Sequence, residues 1–157
     1  MDATVIEQYA TGGAKLRRAV AGLSQGELTA RPGPGQWSIL EVVVHLADSD
    51  AIAIDRMKRM LTDDNPPLLN ADESAYTERL FPHEQSLEYA LTLFDLGRRQ
   101  FARVLRNLPP EAFERAGTHN RRGRMTVGGM VGDYIKHVDD HLAFVHAKRE
   151  RLGNPVP

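Results

Sequence analysis

Proline and glycine divide this chain into four long stretches in which apolar residues recur at helical spacing, and that pattern restricts the fold more than any other feature. The first stretch runs from about Thr4 to Leu23. Its stripe is Val5, Ile6, Tyr9, Leu16, Val20 and Leu23, with Gly12 and Gly13 weakening the middle. The segment RPGPGQW, from Arg31 to Trp37, must be a loop, because its prolines and glycines do not fit inside a helix. A second helix opens at Ser38. Glu41 three residues later completes a capping box, in which each side chain satisfies a backbone N–H that the first turn leaves free. This helix continues to about Leu61 and ends within Thr62 to Pro67. A long connection follows from Leu68 to Pro82, with room for a turn or two of helix at Asp72–Leu80. The third helix covers about Glu84 to Leu108, where Pro109 and Pro110 close it. After the loop GTHNRRGRM, Thr126 caps a fourth helix that reaches about Arg151.

No segment alternates with period two, and the valines at 42–44 lie inside the capped helical pattern, so no strand is expected. Four amphipathic helices bury their stripes against one another, which predicts an all-α four-helix bundle forming one domain over residues 1–157.

Composition narrows the chemistry. The formal net charge is −1, which predicts no nucleic-acid partner and no acidic membrane surface as partner. There is no cysteine, which excludes disulfides, thiolate zinc sites and a cysteine nucleophile. The N-terminal MDATVIEQYATGG has no signal-peptide pattern, and no stretch approaches the roughly 20 apolar residues that span a bilayer. A cytoplasmic protein is expected.

His137 and His141 stand four residues apart on the fourth helix, so their rings share one face. The apolar centre of that helix passes through Val127, Val131, Tyr134, Val138 and Val145, and both rings look partly inward. On the second helix His45 borders the stripe of Ile39, Val42, Leu46, Ala53, Met57 and Met60. A histidine facing a bundle interior needs partners for its ring nitrogens. Three imidazoles from two helices can hold one divalent transition metal and leave a position open for water or substrate, as catalytic sites do. Imidazole suits zinc, nickel, copper and iron(II) alike.

Other polar residues read more plainly. His146 projects from a different face as a surface residue, His83 belongs to a loop or helix start, and His119 precedes the fourth helix, where it can approach the same end of the bundle. Asp48, Asp133 and Asp140 lie within a turn of the three histidines and read first as solvated, with hydrogen bonds to the rings as the alternative. Arg56 shares a face with His45 and reads as a surface arginine, with an anionic substrate as the alternative. Trp37 reads as a staple or lid before the second helix. Arg121, Arg122 and Arg124 read as a solvated basic loop.

The blocks QWSILEVVVHLADSD (Gln36 to Asp50), NADESAY (Asn70 to Tyr76) and GTHNRRGRMTVGGMVGDYIKHVDDHLAFV (Gly117 to Val145), in that order, resemble the DinB-like or YfiT-like superfamily of four-helix metal-binding proteins. The resemblance implies a metal, commonly nickel or zinc, on His45, His137 and His141, and a homodimer. It implies a small-molecule substrate, acted on by metal-dependent hydrolysis or by transfer of a low-molecular-weight thiol, such as bacillithiol or mycothiol, to an electrophile. A non-catalytic metal-binding or stress-response role is the alternative. The dimer expectation also draws on the apolar FDLGRRQFARVL (Phe94 to Leu105), although burial in the monomer core would account for that run equally.

Overall fold

In the computed structural model, which describes residues 1–155, the helices and strands run in the order α1 (Ala3–Ala10), α2 (Gly12–Val20), α3 (Gln25–Thr29), α4 (Ile39–Thr62), β1 (Pro67–Leu68), α5 (Glu73–Arg79), α6 (Leu87–Arg106), β2 (Ala116–His119), β3 (Gly123–Thr126) and α7 (Val127–Arg151). Short 3-10 turns lie at Pro82–Glu84 and Pro110–Glu114. The expected all-α bundle is present: α4 packs against α6 and α7, and the rod formed by α1 and α2 packs against the same two. The expected neighbours, the second and fourth long helices, are α4 and α7.

Local sequence explains where the long helices start. The Ser38 hydroxyl accepts from the Glu41 N–H at 3.2 Å, and the Glu41 carboxylate accepts from the Ser38 N–H at 2.6 Å. Thr126 accepts from the Gly129 N–H at 3.0 Å and starts α7 as expected. α6 begins three residues later than expected, at Leu87, because Ser86 supplies its cap.

The first stretch is not one helix to Leu23. It breaks at Thr11 into α1 and α2, and a separate α3 follows behind a capping box at Ser24 and Glu27. The glycines do more than weaken it. A Cβ at Gly13 would lie 2.7 Å from the Asp95 Cα, so α2 approaches α6 at a distance only glycine allows.

The expectation of no strand is also corrected. β1, β2 and β3 form a small sheet, with β1 parallel to β2 and β2 antiparallel to β3. The inward positions of β2 are Gly117 and His119, so no period-two hydrophobic signal exists to read. Gly117 lets the strands close: a Cβ there would lie 2.7 Å from the Pro66 carbonyl oxygen.

The apolar interior falls into an upper and a lower cluster along the bundle. One contains Leu16, Leu46, Phe94 and Val138, the other Tyr9, Ala53, Phe101 and Val131. Between them, on α6, sits Arg98, which is buried. Its guanidinium donates to Asp50 of α4 at 2.6 and 3.0 Å, to the Tyr134 carbonyl of α7 at 2.8 Å and to the Tyr9 carbonyl of α1 at 3.4 Å. It also lies 4.6 Å from the centroids of the Tyr9 and Phe94 rings. One side chain thus joins four helices. Burial pushes the Asp50 carboxyl up, and the Arg98 guanidinium beside it pulls it back down. Among the described residues, no helix is long and apolar enough to cross a membrane.

Candidate metal centre

α4 and α7 run antiparallel past one another, and their contact sets the site. His45 meets His137, and one turn further along α4 the Ser49 hydroxyl lies 3.4 Å from the Tyr134 hydroxyl. The Nε2 atom of His45 is 3.2 Å from that of His137, which is 3.1 Å from that of His141. All three nitrogens lie within 4.8 Å of one another, and among the described residues no other cluster of histidines and carboxylates meets that test. Around a tetrahedral ion with metal–nitrogen bonds of about 2.1 Å, neighbouring donors stand roughly 3.4 Å apart. Two of the three separations are therefore close to the edge of a coordination tetrahedron and the third lies within 4.8 Å, so these residues could hold a single ion.

Their electrostatics suit that use. Burial pushes His45 down to about 3, with His141 and His137 adding to the effect. Burial likewise pushes His137 down to about 4 and lowers His141. Near neutral pH all three are uncharged, which is the form that donates a lone pair to a cation. The rings are packed from outside: Trp37 lies 5.0 Å from His45, and Tyr134 meets His137 edge-on at 5.6 Å. Trp37, read as a staple or lid, thus also covers a site histidine.

His45 and His137 open onto a cleft of about 380 Å³ between α4, α7, α5 and the β2–β3 hairpin, and His141 stands behind His137. Asp48, Ser49 and Arg56 of α4 line it, as do His119 and Tyr134. Glu73 and Tyr76 of α5 form another wall, and the Glu73 carboxylate comes within 3.6 Å of His45 Nε2. The Asp48 carboxyl is raised by burial.

The remaining residues singled out in the sequence are placed as follows. None of Asp48, Asp133 and Asp140 hydrogen-bonds a site histidine: Asp133 pairs with Arg122 at 2.6 Å and Asp140 with Lys136 at 2.5 Å, which matches the solvated reading for those two. His146 is exposed, as expected. His83 lies in the turn before α6 and contacts the Ser38 hydroxyl at 3.0 Å, at the cap of α4. His119 stays outside the three-nitrogen set but lines the cleft. Arg56 is half-buried in the cleft wall rather than on the open surface. Glu73 and Tyr134 were not singled out as site residues. Glu73 follows Asp72, whose side chain caps α5 by accepting from the Ala75 N–H at 3.0 Å, and that cap was the available signal for a wall helix here.

Comparison with known proteins agrees with this geometry. The family model described as the DinB superfamily matches residues 8–145. The chain belongs to the DinB superfamily. A protein of Oceanobacillus iheyensis is 31% identical over 130 residues, covering 83% of this chain and 75% of its own. YfiT of Bacillus subtilis is 28% identical over 141 residues, covering 89% of this chain and 79% of its own. Both carry provisional names as metal-dependent hydrolases. The solved structure of YfiT superposes with a TM-score of 0.90 at 27% identity, over 96% of this chain and 86% of that one. It is described as a probable metal-dependent hydrolase with an unusual four-helix bundle topology. This DinB chain shares that architecture, with the first two long helices set diagonally rather than side by side.

Proposed function

We propose that this DinB protein binds one divalent transition metal ion, zinc or nickel, through His45, His137 and His141, and that it is a metal-dependent hydrolase of a small molecule held in the adjoining cleft. The observation that carries the reading is the convergence of three uncharged imidazole nitrogens, 3.1 and 3.2 Å apart, two of whose rings, His45 and His137, line a cleft of about 380 Å³. Three protein donors leave coordination incomplete on the cleft side, which distinguishes such a set from a closed structural site. A bound ion supplies Lewis acidity toward an oxygen or sulfur of whatever occupies that side.

The chain's own residues do the rest. Trp37 and Tyr134 hold the His45 and His137 rings in place. Asp48 and Glu73 are the carboxyls on the cleft wall without a Lys or Arg partner among the described residues, and Glu73 lies within reach of the reacting end. α5 forms a wall of the cleft at that end. The relatives' names support hydrolysis. Transfer of a thiol would need the thiol to enter as a cosubstrate, because the chain has no cysteine.

The test is metal analysis of tag-free protein, followed by a screen of esters, amides and lactones with and without added thiol. Turnover that is lost on chelation and restored by one equivalent of metal supports the reading. Turnover only with thiol present moves it to transfer, and tag-free protein that takes up no metal overturns it.

We also propose a homodimer. The outer face of α6 exposes Tyr89, Leu93, Leu96 and Val104, while its inner face is buried in the core. Light scattering that shows only monomer at high concentration would exclude it.

A further inference from the structure

The cleft has a second end. His45, Ser49, Ile52 and Arg56 line it from α4, and their spacing of four, three and four places them along one face of the helix. Arg56 stands about 16 Å further along the axis than His45, at about 1.5 Å per residue. Long side chains on a helix lean toward its N-terminus, which carries the Arg56 guanidinium back along the cleft. Asn70, His119 and Arg122 line the cleft with it.

Most charges around the cleft are matched. Arg122 pairs with Asp133 at 2.6 Å, Lys136 pairs with Asp140 at 2.5 Å, and Glu41 is held by Arg31. Arg56 has no carboxylate within salt-bridge distance among the described residues. It donates to the Leu69 carbonyl. A half-buried guanidinium with four further N–H groups to place, and only a neutral oxygen as partner, favours an anion beside it.

His119 gives an independent indication. Its Nδ1 lies 3.1 Å from the Arg121 backbone nitrogen and 3.3 Å from that of Arg122, and both N–H groups donate to it. A nitrogen that accepts carries no proton, so the neutral ring holds its proton on Nε2. Burial, with Arg56, Arg122 and Arg121 nearby, keeps the ring neutral. His119 is therefore a buried ring at the cleft wall whose remaining polar atom is a donor. The acceptor at this end that a loop provides, Asn120 Oδ1, is taken up by the Asn70 N–H at 2.9 Å.

We propose that Arg56 and His119 form an oxyanion-binding subsite, so that the substrate is an elongated molecule bearing a carboxylate or phosphate group, anchored there while its other end reaches the three histidines. This rests on the reading of the histidine end as the reacting end. The two ends divide the work: the guanidinium and the fixed imidazole N–H give orientation and selectivity, and the anchor presents the uncharged part of the molecule to the histidines.

The test is titration of the full-length protein, first with a chelator and then with one equivalent of zinc, using inorganic phosphate, succinate and uncharged succinamide as probes. Backbone and imidazole chemical shifts are followed by NMR. The subsite predicts saturable shifts centred on Asn70, His119 and Arg122 with at least one anion and none with succinamide. A preference for phosphate would indicate a phosphate ester as substrate, and a preference for succinate a carboxylate. Arg56→Gln weakens the binding about tenfold or more, and Arg56→Lys, which keeps the charge, weakens it less. Absence of saturable shifts with both anions overturns the proposal, as does undiminished binding by folded Arg56→Gln. Should Arg56→Gln fail to fold, the wild-type shift map and Arg56→Lys still decide. Zinc uptake is measured on the same samples, so anion binding without zinc uptake sinks the metal reading alone, and zinc uptake without anion binding sinks the subsite alone.

Discussion

Two polar clusters lie inside the same bundle, and they handle burial in opposite ways. At the waist between the two apolar clusters, Arg98 meets the Asp50 carboxylate and the carbonyls of Tyr134 and Tyr9. Positive and negative charge stand together and offset one another within the cluster, with Asp50 Oδ2 and the Tyr9 hydroxyl left without a hydrogen-bond partner among the described residues. A turn or two away on α4 and α7, His45, His137 and His141 bring three basic nitrogens to one point, and the nearby carboxylate, Glu73 at 3.6 Å from His45, is largely exposed. Their depressed proton affinities reflect that environment. Polar burial that balances its own charges serves the fold. Burial that leaves like groups facing one another calls for a guest.

The sharpest way to break this contrast is Asp50→Ala. It strands a buried guanidinium, and denaturant unfolding should show a loss of about 3–5 kcal/mol. A loss below about 1 kcal/mol would mean that the waist cluster does not hold the helices together. Next is His137→Ala or His141→Ala. Each should cut metal affinity about 100-fold or more, beyond the range typical of ligand-orienting residues, while the metal-free protein keeps its circular dichroism spectrum. Removal of the exposed His146 is the control and should leave metal content unchanged by mass spectrometry. If His146→Ala loses the ion, the assignment of the site is wrong.

Gly13→Ala probes the waist indirectly. Its methyl would drive α2 away from α6, the helix that carries Arg98. Overpacking of about 1–3 kcal/mol, offset by about 1 kcal/mol of helix propensity, predicts a net destabilisation of up to about 2 kcal/mol with metal affinity unaltered. Equal losses in both quantities would show that the two clusters are coupled.

The effect of pH on the metal-free protein is smallest near neutrality and grows as the pH falls. Unfolded histidines take up protons below about pH 6.5, whereas folded His45 and His137 resist protonation down to about 3 and about 4. As pH falls from 6.5 the unfolded state therefore binds more protons, and stability declines. The decline has a limiting slope of about 1.4 kcal/mol per pH unit for each proton of difference, and it levels off near the folded values. Thermal unfolding of His45→Ala should show a shallower decline over the same window. An identical profile would remove these rings as its cause. Because the rings resist protonation, metal binding should also persist below the pH of about 6.5 that free histidine would suggest.

Much of this was legible in the sequence for physical reasons. Ser38 with Glu41 and Thr126 mark helix starts because capping is local, and the i, i+4 pair His137 and His141 shares a face by helix geometry alone. What was not legible depends on tertiary approach. The strands escaped notice because Gly117 and His119 occupy the inward positions. Gly12 and Gly13 read only as a weak middle of one helix, since a neighbour's closeness leaves no local trace. The Arg98–Asp50 pair did leave one. Arg98 falls mid-stripe between Phe94 and Phe101, and Asp50 between Leu46 and Ala53. Opposite charges centred on two apolar stripes signal a pair across a core. Arg56, with an anionic substrate as its alternative reading, and His119, near the same end of the bundle, were read separately, and only the hairpin brings them to one cleft.

The pairing of β1 with β2 has a consequence for how such proteins diversify. It fastens the stretch after α4 to the stretch before α7, with the Thr118 N–H donating to Pro66 at 3.0 Å and the Asn120 N–H to Leu68 at 3.1 Å. Much of the far wall of the cleft is therefore an exchangeable panel, stitched from two remote connections and hung between helices that carry the histidines. Insertions and substitutions in that panel can redraw what enters while the three histidines stay as they are. A lineage built this way can keep its inner fittings and change the door.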